Sequence, residues 1–195
     1  PGSYSRALNV PATAEKLFIL DKAGTVTVTL DKKPPQLTAD RLKGITGILS
    51  RVQTEAWSAK GRNNNVKLAV ASIDGVLLSP GEEFSLNQTV GNRTKARGYK
   101  EAPIFINGEK VPGVGGGVSQ VTGTLFNAAA EAGLPIKEAH FHSRPVPYLP
   151  IGYDATVVYG QKDMRFVNNT KHPIFISMRF EDLKLTTTFF GVPQP

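Results

Sequence analysis

The 195-residue chain contains no cysteine, which removes disulfides, cysteine-bound zinc and thiol chemistry from its repertoire. No apolar run approaches the roughly 20 residues that cross a bilayer, and no stretch reads as a secretory signal. Pro1-Gly2-Ser3 resembles the remnant of a cleaved tag and is set aside, so an export signal or membrane anchor belonging to the intact protein need not appear here. Only three histidines are present. No internal repeat and no low-complexity segment is visible, and no lysine/arginine cluster is interleaved with aromatics as nucleic-acid binding wants, so no nucleic-acid partner is expected.

What is present is an ordinary globular composition, 40% hydrophobic and 20% charged, long enough to bury a core. The net charge of +7 points to polyanionic surroundings such as an anionic cell wall or lipid. The densest basic stretch, NRTKARGYK with Arg93, Lys95, Arg97 and Lys100, reads as a solvated loop.

Residues 4–30 read as extended chain, within an N-terminal segment 4–37. KLFIL and GTVTVTL are β-rich around a turn at Asp21–Gly24, and Val26, Val28 and Leu30 alternate on one face. Pro34-Pro35 breaks that run. Thr38 has the character of an N-cap, and Leu42, Ile45, Leu49 and Val52 then recur at helical spacing, which predicts a helix to about Ser58. KGRNNN reads as a loop and NVKLAVASIDGVLL as a second helix. SPGEEFSLNQTVG reads as a turn and a strand, and APIFINGEKVPG as a hairpin turning at Asn107-Gly108. A helix from about Ser119 to Ala132 would bury Val118, Val121, Leu125, Ala128, Ala129 and Ala132, with Gly133 closing it. MRFVNNT, HPIFISMRF and LKLTTTFFG read as an antiparallel meander turning at Asn168-Asn169 and Glu181-Asp182. The expected fold is α+β: antiparallel sheets with a few helices, a single compact domain over 38–191 behind an N-terminal extended segment.

The glycine-rich loop GVGGGVSQ, which opens the later helix, is the foremost chemical candidate. It lacks the lysine of a phosphate-binding loop and the strand context of a dinucleotide loop, and Val121 stands where a nucleophile elbow has its second glycine. Free amides at a helix start, approached through Gly115, Gly116 and Gly117, can nevertheless hold an oxyanion. Ser119 is a nucleophile if a base serves it; otherwise it is a helix cap. His140 and His142 share a face in extended chain, with Arg144 on the same face. Either histidine suits the base, Asp154 suits its orienting acid, and Arg144 suits a substrate carboxylate. The alternative is a structural histidine pair among turns at Pro145 and Pro147. H-x-H can bind zinc, but no third ligand stands out, so neither metal nor cofactor is expected. His172 is peripheral, and the neighbouring acids Glu82-Glu83 and Glu181-Asp182 read as solvated.

Several blocks in order, LSPGEEFSLNQTVGNRTKARGYKEAPIFINGEKVPGVGGGVSQVTGTLFNAAAEAGLPI, HFHSRPVPYLPIGYDATV and FVNNTKHPIFI, resemble the VanW domain family over roughly residues 63–191. The resemblance implies an exported protein at the extracellular face or in the cell wall of a Gram-positive bacterium, with peptidoglycan stem peptides or glycan as partner. The 4–37 segment then looks like the remnant of an upstream peptidoglycan-binding or joining region. Many relatives carry cysteine in a G-G-G-x-C-Q block, and some are associated with L,D-transpeptidation. Matched position by position, Ser119 falls at the nucleophile, and His142, Arg144 and Asp154 fall in the H-S-R-P and D-A-T blocks. The ligand-contacting set implied beside them is Arg144, Gly115, Gly116, Gly117, Gln120 and His140. Serine is a weaker nucleophile than a thiolate. The resemblance therefore implies either an acyl-transfer site weakened at one atom, or a binding module or protein-interaction domain without chemistry.

Overall fold

The computed structural model describes residues 5–8, 30–33, 42–106 and 109–193. The chain divides into two compact units, 1–43 and 44–195. In the first, β1 (Ser5–Leu8) pairs antiparallel with β2 (Leu30–Lys33), Ser5 opposite Lys33 and Leu8 opposite Leu30. KLFIL, most of GTVTVTL, Pro34-Pro35 and the N-cap expected at Thr38 lie outside the described residues.

In the second unit the segment with helical apolar spacing is a strand, β3 (Gly47–Glu55). Thr46, Ile48, Val52 and Thr54 are β-branched and Gly44 and Gly47 disfavour helix, so local preference sides with the sheet. The alternation is hidden because the inward positions are polar: Ser50 and Thr54 are only 7% and 4% exposed. Ser50 donates its hydroxyl proton to the Ala128 carbonyl (2.6 Å), and Thr54 Oγ1 lies 2.8 Å from Thr124 Oγ1. Such bonds make burial of hydroxyls tolerable.

β3 edges a four-stranded antiparallel sheet. β11 (Lys184–Gly191), β10 (Ile174–Glu181) and β4 (Leu77–Leu78) follow it in that spatial order. Glu181 pairs with Lys184, so the β10–β11 turn is Asp182-Leu183, one residue beyond the expected Glu181-Asp182. Both turn residues are left-handed, at φ 49° and 61°, the arrangement that matches strand twist in two-residue hairpins. The meander expected at the C-terminal end is split. β9 (Arg165–Val167) joins β5 (Glu83–Ser85) and β8 (Ile136–Glu138) in a separate sheet. Asn168, fully buried, redirects the chain there: its amide donates to the carbonyls of Leu78 and His172, and its Oδ1 accepts from Thr170. A third pairing, β6 (Glu101–Ile106) with β7 (Glu109–Val114), forms the expected hairpin; its turn, Asn107-Gly108, lies outside the described residues.

Helix α1 (Lys60–Ile73) begins earlier than its apolar pattern does, taking the polar KGRNNN into its first turns. α2 (Leu86–Val90) is a single turn where a continued strand is expected. Ser85 caps it by accepting the Gln88 amide at 3.1 Å. α3 (Val118–Glu131) lies where periodicity places it and buries Val118, Val121, Leu125, Ala128 and Ala129. α3 packs on β3 and β11, α1 packs on β10, and the two helices touch. The fold is α+β, helices against antiparallel sheets, and no described helix is long and apolar enough to cross a membrane.

The core joins the two larger sheets through aromatic rings. Phe166 on β9 stacks on Phe84 at 4.9 Å between centroids and meets Phe189 of β11 edge-on at 5.5 Å. All three are buried. Phe166→Ala is expected to lower unfolding free energy by about 3–5 kcal/mol. Urea denaturation checks this; a loss below about 1 kcal/mol would show that the sheets do not depend on this junction.

Candidate functional site

The glycine loop is shaped by what presses on it. Gly115 and Gly117 take left-handed φ values of 91° and 104°. A Cβ on Gly116 would sit 2.5 Å from the Pro103 carbonyl oxygen, so glycine is what lets the loop lie against β6. Asn65 of α1 clamps both partners. Its amide donates to the carbonyls of Lys100 and Gly116, each at 2.9 Å, and its Oδ1 accepts the Lys100 amide at 2.8 Å. The N-cap of α3 is Gly117 and no side chain caps the helix, so Ser119 does not have the capping role. Two amides of the first turn are satisfied within the loop: Val118 donates to Gly115 O and Gln120 to Gly117 O.

Across from this turn runs the irregular segment 139–158. It is strapped to one face of α3. Asn127 donates to the Tyr153 carbonyl at 2.6 Å, and a Cβ on Gly123 would meet Leu149 at 2.6 Å. Within the segment the Thr156 amide donates to the His140 carbonyl at 2.7 Å.

This brings two of the expected site residues into direct contact. His142 Nδ1 lies 2.8 Å from Asp154 Oδ2, and the His142 backbone amide donates to the same oxygen at 2.8 Å. Both side chains are below a tenth exposed. A carboxylate only accepts, so Nδ1 carries a proton toward Asp154, and in the neutral ring Nε2 is then the acceptor. Phe105 of β6 presents its ring to the imidazole edge-on, 5.7 Å between centroids.

Ser119 is half-buried on α3, and its hydroxyl meets Thr156 Oγ1 at 3.4 Å. No hydrogen bond joins it to either histidine among the described residues. Gln120 turns away from the loop into the protein. Its amide donates to Thr54 Oγ1 (2.8 Å) and the Glu55 carbonyl (3.0 Å), and its Oε1 accepts from Arg62. His140 pairs with Glu138 at 2.9 Å, away from the Asp154 carboxylate. The Asp163 amide and then His140 hold the Glu138 carboxyl below the usual carboxylate range. Arg144 is exposed.

Residues near the loop that carried no sequence signal are Arg62, Asn65, Tyr148 and Thr156. The first two sit in a polar run whose pattern resembles a loop. Burial raises the Tyr148 hydroxyl above its ordinary range. Arg62 opposes that rise and Asp154 adds to it, and the Tyr148 ring centre lies 5.9 Å from the Arg62 guanidinium carbon.

In the NRTKARGYK stretch Lys95, Arg97 and Lys100 are exposed, as expected of a solvated loop, while Arg93 is half-buried and the two arginines order the turn. Arg93 donates to Asn87 Oδ1 and the Gly91 carbonyl, and Arg97 donates to the carbonyls of Val90 and Asn92. Both guanidiniums hold their own turn, while Lys95 pairs with Glu101 at 2.7 Å. Of the adjacent acids, Glu82 accepts the Ser79 amide and Glu83 pairs with Arg165. Among the described residues no three His, Asp or Glu side chains gather as a metal site. Two surface depressions of about 380 and 430 Å³ lie elsewhere, on the outer face of the β3–β11–β10 sheet and beside Tyr99. Neither includes Ser119 or the dyad, and the first is a ladder face lined by threonines and opposed charges.

A family model described as VanW like protein matches residues 61–190, a span that takes in the glycine loop and the dyad but not the edge strand β3. The chain belongs to the VanW family. It is similar to the protein YoaR of Bacillus subtilis (strain 168), 50% identical over 119 residues, which is 61% of this chain and 39% of that protein. It is also similar to vancomycin B-type resistance protein VanW of Enterococcus faecalis (strain ATCC 700802 / V583), 31% identical over 136 residues, 67% of this chain and 50% of that protein. The chain thus spans half or less of the length of these relatives. No solved structure matches.

Proposed function

We propose that this VanW domain works outside the membrane, at the cell wall of a Gram-positive bacterium, and engages peptidoglycan stem peptides through a cleft at the junction of the first turn of α3 with residues 139–158. The family match supports an envelope role, and one relative is named for vancomycin resistance. Within that role we assign the cleft to acyl transfer of L,D-transpeptidase type. The observation that carries it is the buried His142–Asp154 pair, which fixes the tautomer a general base needs.

In that chemistry Ser119 Oγ attacks a stem-peptide carbonyl, and its proton passes to His142 Nε2. The C–N bond breaks, the departing amine takes that proton, and an ester to Ser119 remains. The amine of a second stem then attacks the ester, releases Ser119 and forms the cross-link. The Ser119 amide is the donor this reading uses for the oxyanion. The serine must leave Thr156 for His142 before it can react.

That Thr156 contact favours a second reading, a binding module using the same cleft without chemistry. Incubation of the wild type and Ser119→Cys with tetrapeptide muropeptides, read by mass spectrometry, separates the two. Cross-linked product is expected from the cysteine variant well above wild type, because a thiol ionises near neutral pH and is the stronger nucleophile. Product from neither protein removes the transfer reading. Muropeptide affinity unchanged in Ser119→Ala would then leave binding as the function.

A further inference from the structure

Arg62 is the charged group whose surroundings least explain it. It is 3% exposed, yet no Asp or Glu of the described residues pairs with it. Its Nη2 donates to Gln120 Oε1, while Nη1 is buried with no hydrogen-bond partner. Its stem lies flat on the loop: a Cβ on Gly117 would fall 2.8 Å from Arg62 Cγ. The guanidinium therefore rests against the first turn of α3, where the helix dipole already has its positive end. Two like potentials share one place, and no carboxylate answers either. Buried arginines ordinarily have an anion opposite them. The loss of hydration holds the Arg62 guanidinium below its ordinary pKa, with Tyr148 acting weakly the other way.

Over the guanidinium lies the indole of Trp57, 3.9 Å from its ring centre. That residue is 41% exposed, stands in the irregular link between β3 and α1, and takes no part in the core cluster. It covers the guanidinium from the solvent side. Tyr148 stands 5.9 Å from the guanidinium carbon and belongs to segment 139–158, the same segment that carries His142 and Asp154, so this cation and the dyad meet one stretch of chain.

We propose that Arg62 is the carboxylate-holding group of the cleft, taking a terminal carboxylate of the ligand on Nη1 beside the start of α3, with Trp57 as the cover that moves aside. The role given to Arg144 by its sequence block thereby passes to a residue that is buried, pre-oriented and unpaired. The stem-peptide identity of the ligand rests on the function proposed above; the anion site itself does not.

Trp57 is the only tryptophan in the chain, so its emission reports on this place alone. Acetate tests the subsite, and a tetrapeptide muropeptide, compared with its C-terminal carboxamide, tests the larger ligand. Saturable change of Trp57 emission by acetate is expected in wild type and Arg144→Ala and is lost in Arg62→Gln. The muropeptide is expected to bind about 10–100-fold more weakly as its carboxamide, and to lose a similar factor in Arg62→Gln. Arg62→Lys keeps the charge and the stem but not the planar fork, and is expected to fall between. The carboxamide comparison uses the unaltered protein, so it stands even if Arg62→Gln fails to fold. Equal affinity for acid and amide overturns the assignment, as does absence of any saturable Trp57 response to acetate. A response to acetate without muropeptide binding upholds the anion site and removes the peptidoglycan ligand instead.

Discussion

Asp154→Asn is expected to leave the protein folded and to abolish most of the proposed transfer activity, whereas Asp154→Ala is expected to damage both. One carboxylate oxygen accepts two hydrogen bonds from His142, one from its backbone and one from its ring. Alanine removes the shared acceptor from a place less than a tenth exposed and leaves two donors without a partner. The cost should be about 2–4 kcal/mol. Asparagine can place its one oxygen where the shared carboxylate oxygen stands, and there it still accepts from both the backbone amide and Nδ1. The fold is kept, but the negative charge that stabilises the imidazolium formed when Nε2 takes the proton of residue 119 is gone. An Asp-to-Asn change at this place, with the geometry intact, costs about 10⁴ in rate in a hydrolase that uses this arrangement. The measurement is cross-linking by Ser119→Cys with and without Asp154→Asn, beside urea midpoints for both. An unchanged rate would make the pair a structural clip between Phe141–His142 and the 154 turn, and the transfer reading would lose its support.

Gly116→Ala is expected to be the most damaging single-methyl change in the loop. The added Cβ meets the Pro103 carbonyl oxygen at 2.5 Å and the Ala102 carbonyl carbon at 2.9 Å. Both are backbone atoms of β6, held by pairing of Ala102 with Gly113 and Pro103 with Pro112, so no side chain can swing clear. The loop itself would have to move, breaking the Asn65 bond to Gly116 O. A loss of about 3 kcal/mol is expected. Gly133→Ala is the comparison: its φ is 71°, but nothing lies within 4 Å of the added carbon. It should cost only the left-handed penalty, about 1 kcal/mol. Chemical denaturation of the two variants checks the contrast, and equal losses would mean that conformation, not crowding, is what the loop glycines supply.

The long helix α3 was legible because its apolar residues keep a helical period and the glycines before it cannot propagate a helix. β3 was not, because Ser50 and Thr54 occupy its inward positions. Their hydroxyls are acceptable there only because α3 presents the Ala128 carbonyl and Thr124 opposite them. The same holds for α1, whose first turn is polar since Asn65 and Arg62 spend their polar groups on the glycine loop and on Gln120 rather than on water. Polar residues that fold inward defeat any reading based on hydrophobic spacing.

The site divides along the same line. By itself the sequence determined the α+β class, the glycine loop opening a helix at Ser119 and, through its blocks, the VanW family; these depend on neighbouring residues, glycine conformations and local periodicity. It also held His142 and Asp154 as candidates, but their contact required segment 139–158 to be strapped onto α3 through Asn127 and Gly123, an event between distant parts of the chain. Only the tertiary structure decided that Ser119 faces Thr156, that Gln120 turns inward, and that Arg62 lies dry and unpaired against the helix start. Such facts depend on which groups lose water together, and burial is a property of the packed whole rather than of any window of sequence.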